Sequence, residues 1–158
     1  MNIVKAVCVL VSQSVKGVVF FEQSIEDLYS TRVYGSISGL KKGLHGFHIH
    51  TYGDLSKGCE SAGPHFNPFN RTHGDVNVDE NHVGDLGNIF SNGEEEPVMI
   101  DMVVNNLSLI GKYSVIGRAL IVHEDADDLG KTNHPLSKTT GNSGARIACG
   151  VIGIASSN

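Results

Sequence analysis

The sequence predicts an all-β fold in which the strands form two packed sheets or a closed barrel. Its apolar residues are mostly Val, Ile and Leu in short runs, and 19 glycines punctuate the chain. This mixture is typical of many short strands joined by tight turns, and no segment has the apolar stripe of a helix. A length of 158 residues suffices for one core, so we expect a single domain over 1–158.

Eight segments are predicted as strands, because apolar and polar side chains alternate along several of them with the period of a half-buried strand. In the third segment Val33 and Ile37 alternate with Arg32, Tyr34 and Ser36. Turns that contain glycine or asparagine separate the segments. The predicted strands are 3–11, 15–23, 29–38, 44–50, 84–91, 96–104, 115–123 and 146–154.

Two connections, 51–83 and 124–145, are much longer than the others and have no strand periodicity. Loops of this length are uncommon in a compact domain and are usually functional or disordered. Disorder fits poorly here, because the two loops carry several of the eight histidines. Since metal ligation can order a loop that lacks a core, we interpret both loops as functional.

The net charge argues against two kinds of partner, and the first residues of the chain bear on where the protein is located. The net charge is -5, from 12 basic and 17 acidic residues. Nucleic acids and anionic membranes require a positive surface on their partners, so we expect neither as a partner. No apolar run could span a bilayer, and the residues from Met1 onward lack the pattern of an export signal. We therefore expect the protein in the cytoplasm.

The chain has three cysteines, Cys8, Cys59 and Cys149. Cys8 alternates with Ala6 and Leu10 on one face of a predicted strand, which favours a buried free thiol. Disulfides are rare in the cytosol, so spacing alone favours three reduced thiols over a cross-link.

Three histidines lie where predicted strands open into the two long loops. His48 and His50 are two residues apart on one strand, so both side chains point to the same face and could chelate a metal. His123 ends another strand on the face that it shares with Ala119 and Ile121. Each histidine alone would be interpreted as a surface or core residue, but their shared placement favours a metal site.

The first long loop supplies further donors, His65, His73 and His82, and Asp85 follows it. Their spacings of eight, nine and three residues are too loose for a zinc-finger knuckle, but they suit a loop wrapped around an ion. Six histidines and one aspartate exceed the four donors that one zinc ion usually takes, so two metal ions are predicted. Imidazole suits both copper and zinc, and spacing does not say which metal goes where.

Five stretches together resemble a known family: GFHIH, GPHFNP, HVGDLGN, VHEDADDLG and TGNSGARIACGVIGIA. In this order and spacing they are similar to the copper/zinc superoxide dismutases, and the similarity runs essentially from end to end. The resemblance implies an eight-stranded Greek-key β-barrel of the immunoglobulin-like sandwich type, which forms a homodimer. It also implies one copper and one zinc per subunit.

The resemblance further implies a role for each donor. Copper would be held by His48, His50, His65 and His123, and zinc by His65, His73, His82 and Asp85. His65 would then be the ligand that both metals share. Asp127 would join a copper-ligand histidine to a zinc-ligand histidine, and a Cys59–Cys149 disulfide would replace the reduced thiols that spacing favours.

The activity implied by the resemblance is dismutation of superoxide to O₂ and H₂O₂ by alternate reduction and reoxidation of the copper. Zinc would be structural and would tune His65, which would deliver a proton to the product. Arg146 would dock the anion, with Lys138 at the lip of the channel and Thr140 at its constriction. A copper-donor protein is an expected partner.

The chain departs from the family pattern at two positions, and other positions match the dimer interface of the family. Pro135 and Asn81 stand where the family commonly has Glu and Arg, which changes the charge at the channel mouth and the anchoring of the loop. The positions that match the dimer interface are mostly apolar on outward strand faces: Val7, Val9, Tyr52, Gly53, Ile116, Gly117, Val151 and Ile154.

Two alternatives compete with a dismutase. The first is a non-catalytic domain of the same fold that delivers or stores copper; such domains typically lose copper ligands or the docking arginine, and this sequence keeps both. The second is a cupin oxygenase, suggested by the His48-x-His50 pair. Asp54 stands where a cupin glutamate is expected, and the loop histidines would have no role.

Overall fold

The structure, a computed structural model, describes residues 2–156. Nine strands and one turn of 3-10 helix make up the regular structure of that range. The strands are β1 Ile3–Val11, β2 Lys16–Ser24, β3 Ser30–Ser38, β4 Gly43–His50, β5 Ser56–Cys59, β6 Asp85–Ser91, β7 Val98–Asn105, β8 Ala119–His123 and β9 Arg146–Ile154, and the 3-10 helix is Glu60–Ala62.

Eight of the strands form one antiparallel sheet in the order β6-β4-β8-β9-β1-β2-β3-β7, and the short β5 lies outside it. The two edge strands, β6 and β7, follow each other in the chain and contact each other, which nearly closes the sheet into a barrel. The consecutive strands β3 and β4 are separated in the sheet by four others, which is a Greek-key arrangement. The predicted all-β, eight-stranded barrel is confirmed.

The core lies inside the barrel and is mostly aliphatic. Along β1 the side chains of Ala6, Cys8 and Leu10 are fully buried, whereas Val9 between them is 56% exposed. Cys8 is a free thiol, as its position in the alternation predicted. Within residues 2–156 no helix has the length and apolar character that crossing a membrane requires.

Strand β8 is buried on both faces. Its Ala119 and Ile121 pack against Ala62 and Leu55 of the first long loop, in a small cluster separate from the barrel core. A strand covered in this way has no solvent face, so its sequence ALIVH shows a continuous apolar run instead of alternation. The covering loop places the 51–62 segment directly beside the end of β8.

Most predicted strand boundaries agree with the structure to within two residues, but two predictions differ more. The strand predicted over 115–123 begins only at Ala119, because Gly117 adopts a left-handed φ of 91° and the Arg118 amide donates to the Val115 carbonyl in a turn. The loop predicted over 51–83 contains β5 and the 3-10 helix, which are too short to leave a periodic signal.

Candidate metal centre

Two neighbouring strands bring three histidines to one face of the sheet. In the antiparallel register of β4 and β8, His48 lies opposite Ile121 and His50 opposite Ala119. His123 ends β8 two residues beyond Ile121, and its ring lies on the same face of the sheet as the rings of His48 and His50. The His123 ring lies 4.8 Å from the His48 ring and 5.6 Å from the His50 ring, between centroids.

The first long loop is fastened to β4 by main-chain hydrogen bonds. The Phe66 amide donates to the Ile49 carbonyl and the Ile49 amide donates to the Gly84 carbonyl, each at 2.8 Å. A Cβ on Gly84 would lie 2.1 Å from the Ile49 carbonyl oxygen, so only glycine allows this approach. These bonds set His65 against His50, with which it forms an isolated β-bridge.

The first cluster of donors consists of His48, His50, His65 and His123, which are all buried and whose donor atoms lie within 4.8 Å of one another. The Nε2 atoms of His50 and His123 are 3.4 Å apart. His48 Nδ1 and His65 Nε2 are buried without a hydrogen-bond partner among residues 2–156. Unsatisfied buried nitrogens that converge in this way fit a metal ligand set, because a metal ion would satisfy their lone pairs.

Hydrogen bonds on the far side of three rings fix their orientation. His50 Nδ1 donates to the Gly63 carbonyl at 2.7 Å, and His123 Nδ1 donates to the Gly144 carbonyl at 3.1 Å. His48 Nε2 donates to Asp127 Oδ2 at 2.6 Å. Each bond occupies one ring nitrogen, which leaves the lone pair of the other directed into the cluster.

The second cluster surrounds Asp85. Its Oδ1 atom lies 2.9, 3.0 and 3.3 Å from the Nδ1 atoms of His65, His73 and His82 respectively. Donors held at the usual bond length around a tetrahedral zinc ion are about 3.3 Å apart, so these four atoms have the spacing of one zinc site. Asp85 Oδ2 accepts from the backbone amides of Gly74 and His82, which leaves Oδ1 for the ion.

Geometry also offers a different set of four, His48, His65, His73 and Asp85. We favour His82 over His48 as the fourth member. His82 Nδ1 lies 3.2 Å from His65 Nδ1, whereas His48 Nε2 donates to Asp127 and His48 Nδ1 faces the first cluster.

Asp127 connects the two clusters. Its Oδ2 accepts from His48 and its Oδ1 accepts from His73 Nε2 at 2.7 Å. Asn88 holds Asp127 by two reciprocal bonds, since its side chain accepts from the Asp127 amide and donates to the Asp127 carbonyl. A Cβ on Gly141 would lie 2.1 Å from Asp127 Oδ1, so this position has no room for a side chain. Sequence reasoning missed Asn88 and Gly141, although both lie in the stretches that carry the resemblance.

The first cluster holds its histidines neutral. Burial lowers the pKa of His48, His50 and His65 below the ordinary value of an imidazole, and it lowers the pKa of His123 to about 4. A neutral imidazole keeps a lone pair, which is the form that binds a metal.

His73 is the exception. Burial acts to lower its pKa, but hydrogen bonds to Asp127 and Asp85 outweigh burial and raise the pKa to about 9. Burial acts to raise the pKa of Asp85, and the three surrounding imidazoles reverse that effect and hold it far below its ordinary value. In the metal-free protein the two carboxylates therefore keep His73 protonated near neutral pH, and a metal ion bound to this ring would displace that proton.

A pocket of about 350 Å³ opens onto the first cluster. Arg146 and Thr140 line it, as the resemblance implied, together with two residues that sequence reasoning missed, Glu60 and Leu136. Lys138 is not among the residues that line it; the structure shows its carbonyl accepting from the His73 amide at 2.9 Å. The pocket is lined by His50, Glu60, Pro64, His65, His123, Leu136, Thr140, Asn142, Ser143, Gly144 and Arg146.

Asn81 and Pro135 lie outside this pocket. The Asn81 side chain donates to the Asp75 carbonyl at 2.8 Å, so the loop keeps an anchor at the position where an arginine is common in the resembling family. Pro135 is exposed in the second long loop.

A disulfide ties the first long loop to the barrel. It joins Cys59 at the end of β5 to Cys149 in β9, across a sequence separation of 90 residues. The reduced thiols that spacing favoured are therefore wrong for this pair, because the fold brings the two residues to a Cα–Cα distance of 5.7 Å. Closing a loop of this length stabilises a fold by about 4–5 kcal/mol in the chain-entropy model.

A family model, a relative and a solved structure each match most of this chain. The family model described as copper/zinc superoxide dismutase matches residues 15–152. A protein of Autographa californica nuclear polyhedrosis virus, named "Putative superoxide dismutase" of the Cu-Zn type, is 51% identical over 150 residues, which are 95% of this chain and 98% of that protein. The solved structure titled "Crystal Structure Analysis of the clock protein EA4" superimposes with a TM-score of 0.91 at 46% identity, covering 98% of this chain and 97% of its own.

Proposed function

This chain belongs to the copper/zinc superoxide dismutase family, and we propose that it converts two superoxide anions and two protons into O₂ and H₂O₂. The observation that carries the proposal is the pair of adjoining donor clusters beneath a pocket that contains Arg146. The cupin hypothesis is wrong, because the chain belongs to this family over most of its length.

We assign the first cluster to copper and the second to zinc. The copper ligands would be His48, His50, His65 and His123, an all-imidazole set that suits a redox-active ion. The zinc ligands would be His65, His73, His82 and Asp85, whose carboxylate suits a redox-inert ion. Bound copper would supply one-electron transfer in both directions.

His65 is the ligand common to both sets. Its Nδ1 lies 2.9 Å from Asp85 Oδ1 in the second cluster, and its Nε2 is unpartnered in the first. One ring can therefore stay attached at Nδ1 while Nε2 accepts and releases a proton. Because His65 also lines the pocket, such a proton would be held next to the bound substrate.

Arg146 is proposed to bind the anion. It pairs with His123 across β8 and β9, and its Nη1 donates to the Cys59 carbonyl at 3.0 Å. Its side chain is 19% exposed, so the guanidinium is fixed but reachable from the pocket. A planar guanidinium with remaining N–H donors suits a diatomic anion. Thr140 lines the same pocket and would narrow it, while the role of Lys138 at the lip stays a prediction.

The outer apolar face is proposed to form a homodimer. Val9, Tyr52, Val151 and Ile154 are exposed by 56, 57, 42 and 82% respectively. A Cβ on Gly53 would meet the Gly117 carbonyl and the Val151 side chain, so these positions lie together on one surface. A contiguous apolar patch of this kind is often an interface. The single domain over 1–158, the cytoplasmic location and the copper-donor partner stay predictions.

The test is to measure metal content and superoxide consumption on one purified sample. We expect equimolar copper and zinc, and consumption that depends on copper. Arg146→Ala should lower the rate by about tenfold or more with copper unchanged, because it removes the local positive charge. His123→Ala should abolish turnover.

The non-catalytic alternative gives a different result in the same experiment. A copper carrier of this fold would hold the metal in the wild type without consuming superoxide, and His123→Ala would only weaken copper uptake. A loss of copper in proportion to activity in Arg146→Ala would contradict the proposed docking role.

A further inference from the structure

The pocket above the first cluster contains one carboxylate as well as one guanidinium. Glu60 lines it together with Arg146, and the Glu60 Oε2 atom lies 3.9 Å from Arg146 Nε. Among the described residues that line the pocket, Glu60 is the only acid and Arg146 the only lysine or arginine. The one lysine or arginine among these lining residues therefore has a carboxylate beside it.

The position of Glu60 beside Arg146 is not explained by a contribution to the stability of the fold or by a need to orient Arg146. The Glu60 side chain is 78% exposed, and ion pairs at exposed positions contribute little to stability. Arg146 is already held by the hydrogen bond from its Nη1 to the Cys59 carbonyl, which is shorter than its approach to Glu60. What Glu60 changes is the electrostatic potential at the entrance.

The backbone keeps Glu60 at that entrance. It begins the 3-10 helix directly after Cys59, whose disulfide fixes the segment to β9, the strand that carries Arg146. The disulfide therefore keeps the backbone of Glu60 beside the strand that carries Arg146.

We propose that Glu60 is an attenuating residue that lowers the affinity of the Arg146 pocket for small anions and so slows substrate capture. The proposal rests on the proposed function for the identity of the substrate, but the effect on anion binding does not depend on turnover. A charge at the rim of a binding site acts mainly on the association rate and on its salt dependence.

The test compares the copper- and zinc-loaded wild type with Glu60→Gln, which keeps the shape and removes the charge. At about 0.01 M ionic strength, where charges are screened only beyond about 30 Å, we expect the second-order rate constant to rise by about two- to fivefold. At about 0.15 M the increase should be smaller, because the screening length falls to about 8 Å. Glu95→Gln is the matched control.

Glu95 is exposed in the turn between β6 and β7 and is not among the residues that line the pocket of Glu60 and Arg146. Glu95→Gln changes the net charge by the same amount as Glu60→Gln. Comparing the two variants therefore separates the effect of a charge at the pocket from the effect of the net charge. We expect its rate constant to stay near that of the wild type. A rise in both variants, or an unchanged or lower rate in Glu60→Gln, overturns the proposal.

Azide binding to the copper-loaded protein gives a readout that does not need turnover. Followed by optical or EPR titration, the azide dissociation constant should fall about two- to fivefold in Glu60→Gln and stay unchanged in Glu95→Gln. An equal constant in Glu60→Gln and wild type overturns the proposal, whatever the rate. If the loaded wild type consumes no superoxide but the azide shift is present, the proposed function fails and the role of Glu60 stands.

Discussion

The metal centre has two halves that are built differently. His48, His50 and His123 lie on β4 and β8, where the ladder to neighbouring strands fixes the backbone. His65, His73 and His82 lie in a loop that is held by a few main-chain bonds, among them those to Ile49 and Lys138, by a disulfide and by carboxylates.

The two halves also differ in charge. Burial lowers the pKa of the strand histidines, so they stay neutral. In the loop half His73 bonds to Asp85 and Asp127, which raise its pKa to about 9 against the effect of burial. The comparison teaches that the sheet preforms one half, whereas the other half depends on its own polar contacts and on the ion that we propose it binds.

The largest effect is expected from Asp85→Ala. This change removes the oxygen around which three loop imidazoles gather and leaves the charged His73 with one partner fewer. Breaking a buried pair in this way costs about 3–5 kcal/mol. We expect the free energy of unfolding of the metal-free protein to fall by that amount in urea titrations, and zinc binding to be lost.

Where Asp85→Ala destabilises the protein tests whether the loop half and the strand half of the centre are independent. Hydrogen exchange should speed up in the 65–84 segment and change little in β1, β2 and β3, which lie away from the centre in the sheet. Asp79→Ala, an exposed carboxylate of the same loop, is the control and should have little effect. Equal loss of protection in the loop and in β4 and β8 would show that the halves are not separate.

A somewhat smaller effect is expected from pH. His123 titrates at about 4 when folded and near 6.5 when unfolded, so between these values only the unfolded chain binds the proton. The free energy of unfolding of the metal-free protein should therefore fall as pH drops from about 6.5 to 4, by roughly 3 kcal/mol from His123 alone.

His73 has the opposite sign. Its pKa of about 9 in the folded state means that its contribution is complete below about 6.5 and is lost as pH rises through 9. Stability of the metal-free protein should thus be greatest near pH 6.5, because the His123 contribution is lost below that pH and the His73 contribution is lost above it. His123→Asn should flatten the acid side of urea-derived stability curves and the exposed His134→Asn should not; an acid limb unchanged by His123→Asn would contradict the neutral strand half.

The smallest effect is expected from Asn88→Ala. Asn88 makes two bonds to the Asp127 backbone, and Asp127 orients one ring of each half. Losing these bonds should cost about 1–2 kcal/mol of unfolding free energy and speed hydrogen exchange at the Asp127 amide.

Asn92→Ala, in the exposed turn after β6, is the matched control and should do neither. Unchanged hydrogen exchange at the Asp127 amide after Asn88→Ala would show that the position of Asp127 between the two halves does not depend on its two hydrogen bonds with Asn88.

The strand half was the easier one to predict from sequence. The spacing of His48 and His50 fixes their common face, and the strand predicted to end at His123 ends there in the structure. In the loop half the donors could be named but not arranged, because loop spacing sets no direction. Asn88 and Glu60 were missed, since a bond to a main-chain atom and a side chain at a pocket rim leave no periodic signal.

By itself the sequence determined the all-β class, most strand boundaries to within two residues and the buried thiol of Cys8, and it named the seven candidate donors, because each depends on local periodicity or on residue type. Periodicity and spacing did not place Cys59 against Cys149 or Asp127 between the two halves; the resemblance implied both contacts, and the tertiary structure shows them. Only the tertiary structure decided that Glu60 faces Arg146 while Lys138 does not line the pocket. These contacts join residues far apart in the chain, and the distance between such residues is set by how the strands pair and the loops pack.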